Sequence, residues 1–296
     1  MAQAGVIGRR LAGAGLATAA AAGALVVLGA SGSGAAASDG GGHAQLGEAR
    51  RGSVTVRIAP AVDVVVSGAK AAGRPIVVID PGHGGRDPGA VSVSGGITEK
   101  QLTLALAREL RDRLVERGRV RVALTRDRDR YLTLEERTGI ARGLGAALFL
   151  SLHMDSAPNP LARGASVYSL SDVASDAEAA NFAQSENAGG VAAAADGSVQ
   201  SMLADLALRS QMNASAELAS RLVRKSGWRF ALRPEPHRFA TFQVLRGAET
   251  PAVLFEAGYV SNVDDELLLR SPEHRAAIVA GLAETIEADV AARTRR

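Results

Sequence analysis

The sequence contains no cysteine. This absence excludes disulfide bonds, thiolate metal sites, cysteine nucleophiles and a lipid-modified N-terminal cysteine. Aromatic residues are also scarce, at 3% of the chain, so any core must be built mainly from Ala, Leu, Val and Ile. The formal net charge of +3 is too small to indicate a nucleic-acid-binding protein. At 296 residues, the chain has room for one medium globular domain with appendages.

Residues 1–37 have the composition of an export signal peptide. A short basic region, Arg9-Arg10, precedes an uncharged stretch at 11–29, and Ala35–Ala37 supply the small residues that a signal peptidase needs. We expect cleavage before Ser38 and a location in the periplasm, with the arginine pair indicating the twin-arginine route. The alternative is a permanent membrane anchor, because the uncharged run is about long enough to span a bilayer. Its many Ala and Gly residues disfavour that alternative, so no permanent anchor is expected.

The rest of the chain predicts a linker at 38–73, with room for one strand, and a folded domain at 74–296. Strand-like and helix-like segments alternate through that domain, which indicates an α/β fold with a mostly parallel central sheet flanked by helices. The predicted strands are 75–80, 119–125, 146–152, 165–170 and 251–255. The stretch 171–226 breaks the alternation, so it predicts a helical insertion with helices at 175–187 and 200–226 around a flexible connection.

Polar side chains stand where predicted strands end. His83 follows the first strand, His153 follows the third, and Glu256 closes the last one. The carboxyl ends of parallel strands share one edge of a sheet, where ligands bind. Glu99 joins them because its helix, capped by Thr98 and a Gln three positions later, begins directly after the His83 loop. We therefore expect two histidines and two glutamates to meet in one crevice.

This set of residues suits zinc chemistry. Two imidazoles and one carboxylate make a three-ligand catalytic site with a fourth position left for water. The residues predicted as ligands are His83, Glu99 and His153, and Glu256 is the predicted general base and acid. Each of them taken alone has an ordinary alternative: a surface histidine, a first-turn acid that favours the helix dipole, or a salt-bridge partner.

Four stretches carry a resemblance to a known family. They are Ile79-Asp-Pro-Gly-His-Gly-Gly-Arg-Asp-Pro-Gly-Ala90, Thr98-Glu-Lys100, Ser151-Leu-His-Met-Asp-Ser156 and Phe255-Glu-Ala-Gly-Tyr-Val-Ser-Asn262. Over residues 74–293 the chain resembles the zinc-dependent N-acetylmuramoyl-L-alanine amidases of the AmiC/LytC kind. The resemblance implies cleavage of the amide bond between N-acetylmuramic acid and L-alanine in peptidoglycan. It also implies one Zn²⁺, held by the residues assigned above, and Glu256 as the catalytic glutamate.

The resemblance extends to the predicted insertion. In family members that act in cell division, a regulatory helix at this place covers the active site and donates a glutamate to the metal. Glu186 is the best match to that glutamate, the alternative being a solvated residue on a surface helix. The same members imply a role in daughter-cell separation and a LytM-type activator protein as partner. Two alternative functions are left open: a non-catalytic, zinc-containing wall-binding or regulatory protein, and a peptidase that cuts within the stem peptide.

Overall fold

The computed structural model describes residues 64–71, 73–188 and 199–294. The predicted export signal, most of the predicted linker and residues 189–198 of the predicted insertion lie outside these ranges. Within them, no helix combines the length and the apolar character that crossing a membrane requires.

Seven strands form one sheet in the described part of the chain. They are β1 (Val66–Ser67), β2 (Ile76–Pro81), β3 (Arg121–Leu124), β4 (Leu148–Asp155), β5 (Ala165–Leu170), β6 (Leu232–Ala240) and β7 (Ala252–Tyr259). Their order across the sheet is β1-β3-β2-β4-β7-β5-β6. The four central strands β3, β2, β4 and β7 are parallel, whereas β1 and β5 pair antiparallel with β3 and β7. The predicted α/β class with a mostly parallel sheet is confirmed.

Seven helices accompany the strands in the described ranges. They are α1 (Glu99–Arg117), α2 (Leu134–Gly143), α3 (Ala177–Glu186), α4 (Val199–Ser226), α5 (Gln243–Arg246), α6 (Val263–Arg270) and α7 (Pro272–Thr294). The predicted capping box at the start of α1 is present, with the Gln101 side chain accepting a hydrogen bond from the Thr98 backbone N–H at 3.0 Å. This cap fixes the point at which Glu99 enters the helix.

The sheet has a hydrophobic core on each face, because successive side chains of a strand point to opposite sides. On β2, Val77 and Ile79 belong to the core formed with α1, α4 and α7, whereas Val78 belongs to the opposite core with α2, α3 and α5. The apolar stripes predicted for α1 and α7 are fully buried in the first core; they are Leu102, Leu106, Leu110 and Leu114, and Ile278, Leu282, Ile286 and Val290.

The structure redraws the limits of the predicted insertion and linker. The second half of α4 is part of the domain core, since Leu218, Ala219 and Leu222 are buried there. Strand β6 follows α4 and was not predicted, because its Leu232–Ala240 sequence carries two prolines, which sheets tolerate at an edge such as this. At the other edge, β1 places residues 66–67 of the predicted linker in the sheet.

Candidate metal centre

The four residues singled out in the sequence lie at the same edge of the sheet. His83 follows β2, His153 lies within β4, Glu256 lies within β7, and Glu99 is the first residue of α1. His153 and Glu256 are register partners on the parallel strands β4 and β7. Both strands extend beyond the predicted ends at 152 and 255, so these two side chains project from regular strand positions rather than from the loops.

Glu99 lies between the two imidazole rings. Its Oε2 is 3.0 Å from Nε2 of His83, and its Oε1 is 3.0 Å from Nδ1 of His153. The ring centroids of the two histidines are 4.9 Å apart and meet edge to face. Glu99 also accepts backbone hydrogen bonds from Ala90 and Met154, which tie its carboxylate to the His83 loop and to β4.

Glu186, at the end of α3, reaches the same group of atoms. Its Oε2 lies 3.4 Å from Nδ1 of His153 and 3.9 Å from Nε2 of His83. His83, His153 and Glu186 thus each offer a ligand atom within 4.8 Å of the others. Burial raises the pKa of Glu186 above its usual value, although the neighbouring histidines act in the opposite direction. Of the two carboxylates, Glu186 is the one that belongs to this three-residue group, and Glu99 lies beside it.

The residues present fit a zinc ion. The Nε2 atom of His83 is buried and, despite its short distance to Glu99, has no partner with hydrogen-bond geometry among the described residues. An unpaired buried ring nitrogen is costly unless a ligand occupies it. Two imidazoles with carboxylates form the donor set that zinc prefers. The other ring nitrogen of His83, Nδ1, lies 2.9 Å from Oδ2 of Asp87, and a carboxylate in this position commonly orients a metal-bound histidine.

Electrostatics at His83 favour a positive charge. Burial by itself lowers the pKa of His83, but the hydrogen bond to Asp87 and the adjacent negative charge of Glu99 outweigh burial and raise this pKa to about 10. The pKa of Glu99 is shifted down in turn: burial raises it, and the two histidines more than reverse that effect. A metal ion would compete with the proton of the charged His83 ring for the Nε2 atom of His83 and for the neighbouring Glu99 carboxylate.

Two glycines leave space for the histidines and for Glu99. A Cβ at Gly82 would lie 2.4 Å from Cε1 of His153, and a Cβ at Gly89 would lie 2.5 Å from Oε2 of Glu99. The backbone of Gly89 has φ +64°, and His83 itself has φ 59°. The left-handed region suits glycine but is uncommon for other residues, so the loop holds His83 in a strained conformation.

Glu256 is the most deeply buried acid of this group. Its side chain has no exposed surface, and neither of its carboxyl oxygens has a hydrogen-bond partner in the described ranges. Burial, followed by the nearby Asp155, Glu99 and Glu186, raises the pKa of Glu256 well above its usual value. A carboxyl group in this setting holds a proton or a nearby cation, which is the property that a general base and acid needs.

Two buried arginines, which the sequence did not single out, hold the loop that carries His83. Arg137 donates to the carbonyl oxygens of Pro81 and His83, and Arg126 donates to those of Pro81 and Gly82. Arg126 also donates to the carbonyl of Lys100, next to Glu99 on α1. Nothing in the sequence distinguished these two arginines from the many surface arginines, because only the tertiary structure buries them.

A cavity of about 470 Å³ opens beside the metal group. Its lining includes His83, His153 and Glu186. It also includes side chains that the sequence did not indicate; they are Arg86, Tyr131, Leu132, Leu134 and Val244. The group therefore lies at a concave surface with both polar and apolar walls, as expected for a substrate site.

Comparison with known proteins identifies the family. The N-acetylmuramoyl-L-alanine amidase family model matches residues 77–288. The chain is 36% identical to N-acetylmuramoyl-L-alanine amidase AmiA of Escherichia coli (strain K12) over 73% of this chain and 76% of that protein. It is 33% identical to AmiC of Neisseria meningitidis serogroup B over 72% of this chain, but spans only 52% of that protein.

A solved structure agrees with the sequence relatives. The catalytic domain of the amidase CwlV from Bacillus (Paenibacillus) polymyxa superposes with a TM-score of 0.55 at 27% identity, covering 72% of this chain and 96% of that domain. The predictions of the family and of the enzyme class are confirmed. The chain belongs to the N-acetylmuramoyl-L-alanine amidase family.

Proposed function

We propose that the protein hydrolyses the amide bond between N-acetylmuramic acid and L-alanine in peptidoglycan, with one zinc ion held by His83, Glu99 and His153. The observation that carries this proposal is the position of the Glu99 carboxylate, 3.0 Å from a ring nitrogen of each of two histidines that line a cavity. Family membership supplies the bond, since the matched family is named for it.

Each side chain of the site has a separate proposed role in the reaction. When bound, zinc supplies Lewis acidity at the scissile carbonyl and makes water more acidic. Glu256 accepts the proton of the attacking water and returns it to the nitrogen of L-alanine as the amide bond breaks. Asp87 accepts a hydrogen bond from Nδ1 of His83, which leaves Nε2 as the ligand atom.

Digestion of purified peptidoglycan by the zinc-loaded protein, followed by mass spectrometry, tests this function. We expect the release of intact stem peptides and of glycan strands without peptides. Cuts between amino acids would instead support a stem-peptide peptidase. Binding to peptidoglycan with no cleavage, even when the proposed inhibitory carboxylate is removed by Glu186→Gln, would support a non-catalytic wall-binding protein.

The variant Glu256→Gln separates the two proposed roles of the glutamates. We expect it to bind zinc with unchanged stoichiometry and to lose turnover, because the amide has a similar shape but cannot accept a proton from water. Glu99→Gln should lose zinc as well as turnover, since it removes the charge between the histidines. Loss of zinc from Glu256→Gln would make Glu256 a ligand and refute the assignment of its role.

We also propose that Glu186 acts as an inhibitory fourth ligand. A carboxylate so close to both histidines would occupy the position that the attacking water needs. Helix α3 is held over the site from several sides. Its Phe182 packs between the rings of Tyr168 and Phe242. Asn187, which follows α3, donates to the carbonyl of Thr241.

A single substitution tests inhibition better than deletion of 172–200, because that deletion would expose the apolar surface under α3. Glu186→Gln should raise the basal rate on purified peptidoglycan and leave the fold intact. Gln184→Ala, an exposed position two residues earlier on the same helix, is the matched control and should change nothing. An unchanged rate in Glu186→Gln would remove the hypothesis.

An enzyme that is inhibited in its resting state needs a partner protein that relieves the inhibition. We propose a LytM-type activator that draws α3 away from the site, in the context of daughter-cell separation and wall remodelling. Such an activator should raise the rate of the wild type strongly and that of Glu186→Gln only slightly. Equal stimulation of both proteins would show that activation acts through another element.

We further propose that residues 1–37 direct export to the periplasm and are removed, leaving 38–73 largely as a linker before the catalytic domain. The basis is the composition of these residues, with a basic pair, an uncharged stretch and small residues at the cleavage point. Mass spectrometry of the mature protein should find Ser38 at the N-terminus. A mature chain that begins at Ala2 would contradict export.

A further inference from the structure

One cationic side chain of the cavity has no partner within the described chain. Arg86 lies three positions after His83 in the sequence, and its side chain lines the cavity. It makes no hydrogen bond or ion pair with any described residue. Its guanidinium carbon lies 4.2 Å from the centroid of the Tyr131 ring. Stacking uses the flat face of the guanidinium and leaves the N–H groups at its edge free to donate.

The other charges near Arg86 are already engaged. The second arginine of the cavity, Arg137, is bonded to Asp80 and to backbone carbonyls. Among nearby acids, Asp87 bonds His83, and Asp129 bonds Lys100 at 2.8 Å. Tyr131 therefore positions Arg86, while the three carboxylates that line the same cavity are engaged elsewhere: Asp80 with Arg137, Asp87 with His83, and Glu186 beside His153. A planar guanidinium of this kind is suited to bind a carboxylate with two parallel hydrogen bonds.

We propose that Arg86 is a specificity-determining residue that binds a carboxylate on the peptide part of the substrate. The proposal rests on the proposed amidase function. The scissile nitrogen belongs to L-alanine, and successive Cα atoms in a peptide are about 3.8 Å apart. The α-carboxylate of a D-glutamate that follows L-alanine therefore lies within about 7 Å of the scissile nitrogen.

Arg86, His83 and His153 line one cavity, so a scissile bond placed at the two histidines puts that carboxylate in the cavity that Arg86 lines. The Arg86 and Tyr131 pair belongs to neither α3 nor the ligand set. Its recognition role is thus distinct from catalysis, and it is tested with Glu186 substituted because Glu186 lines the same cavity. An α-carboxylate that is converted to an amide would lose its charge and one of its two acceptor oxygens. The site should therefore distinguish a substrate with D-glutamate from one with its α-amide.

Binding of two dipeptides tests the site without requiring turnover. The probes are L-alanyl-D-glutamate with its γ-carboxyl group amidated, which leaves the α-carboxylate free, and the same dipeptide with both carboxyl groups amidated. Each is titrated calorimetrically into the zinc-loaded full chain. Every protein in this test, including the reference called wild type, carries Glu186→Gln, so that the proposed inhibitory carboxylate is absent. We expect the wild type to bind the carboxylate form about tenfold more tightly or better, as one charge-assisted pair provides. Arg86→Gln should bind both forms equally, and Arg86→Lys should keep part of the preference.

Arg163→Gln is the matched control. Arg163 is also an exposed arginine, but it bonds Asp264 and does not line the cavity. This variant should keep the wild-type preference. Thermal unfolding of each variant should match that of the wild type, since Arg86 contributes no buried contact. Equal affinity of the wild type for the two dipeptides, including no affinity for either, would overturn the proposal, as would a preference that survives in Arg86→Gln.

Turnover separates this inference from the function on which it rests. With N-acetylmuramoyl derivatives of the same dipeptides, Arg86→Gln should raise KM about tenfold or more for the carboxylate form only, with kcat little changed. If neither derivative is hydrolysed but the dipeptide preference depends on Arg86, the carboxylate site stands and the proposed hydrolysis fails. Hydrolysis of both derivatives with equal kcat/KM in wild type and Arg86→Gln would support the proposed hydrolysis and refute the carboxylate site.

Discussion

Removal of the Arg137 side chain should damage both the stability of the domain and its metal site. Arg137 is 4% exposed and donates to Oδ1 of Asp80 and to the carbonyls of Pro81 and His83, each at 2.8 Å. Asp80 is 1% exposed, so Arg137→Met would leave a buried carboxylate without its cation. Breaking such a buried pair costs about 3–5 kcal/mol, a large part of the 5–15 kcal/mol typical of a domain.

Urea unfolding followed by circular dichroism measures this loss. Arg137→Lys should lie between the wild type and Arg137→Met, because lysine keeps the charge but cannot make the planar set of hydrogen bonds. Arg209→Met is the control for loss of an arginine on the surface. Arg209 is paired with Asp205 one helical turn away and is mostly exposed, so its loss should cost about 0.5 kcal/mol or less.

Zinc affinity provides the second measurement for Arg137. The hydrogen bond to the carbonyl of His83 holds this proposed ligand in its left-handed conformation, so the folded fraction of Arg137→Lys should bind zinc about tenfold more weakly or worse. A loss of stability below about 1 kcal/mol in Arg137→Met would refute the reasoning about the buried pair. Unchanged zinc affinity in Arg137→Lys would refute the link to His83.

Three further outcomes follow from the site. Burial raises the pKa of Asp80, but Arg137 and Thr125 outweigh burial and hold this pKa below its usual 3.8. The Asp80–Arg137 pair therefore stabilises the fold above about pH 4, and this stabilisation is lost as the pH falls further. In urea titrations, Asp80→Asn should be less stable than the wild type at about pH 7, and the difference in stability should narrow below about pH 4. Gly82→Ala should weaken zinc binding about tenfold or more, since its Cβ would meet the His153 ring, whereas Gly96→Ala, which has room, should not. Removing zinc with a chelator should lower Tm, and zinc at about 100 times its Kd should restore about 2.7 kcal/mol; an unchanged Tm would argue against a metal at this site.

The central strands and the long helices were predictable because each has a local signal. The apolar run before His83 indicated a buried strand. The leucines that recur every fourth residue after Thr98 indicated a helix with one buried face. The elements that were missed have weak local signals. Strand β6 contains two prolines, and α5 and α6 have only 4 and 8 residues. Their positions depend on the neighbours against which they pack.

The sequence by itself determined the family, the sheet edge and the candidate ligands. Motif spacing after strands is a local property, and parallel strands bring their carboxyl ends together whatever the rest of the chain does. Only the tertiary structure decided which charges are paired. It buries Arg126 and Arg137 beneath the His83 loop and leaves Arg86 unpaired among the described residues. These facts depend on distances between segments remote in sequence, and no local pattern of residues encodes them.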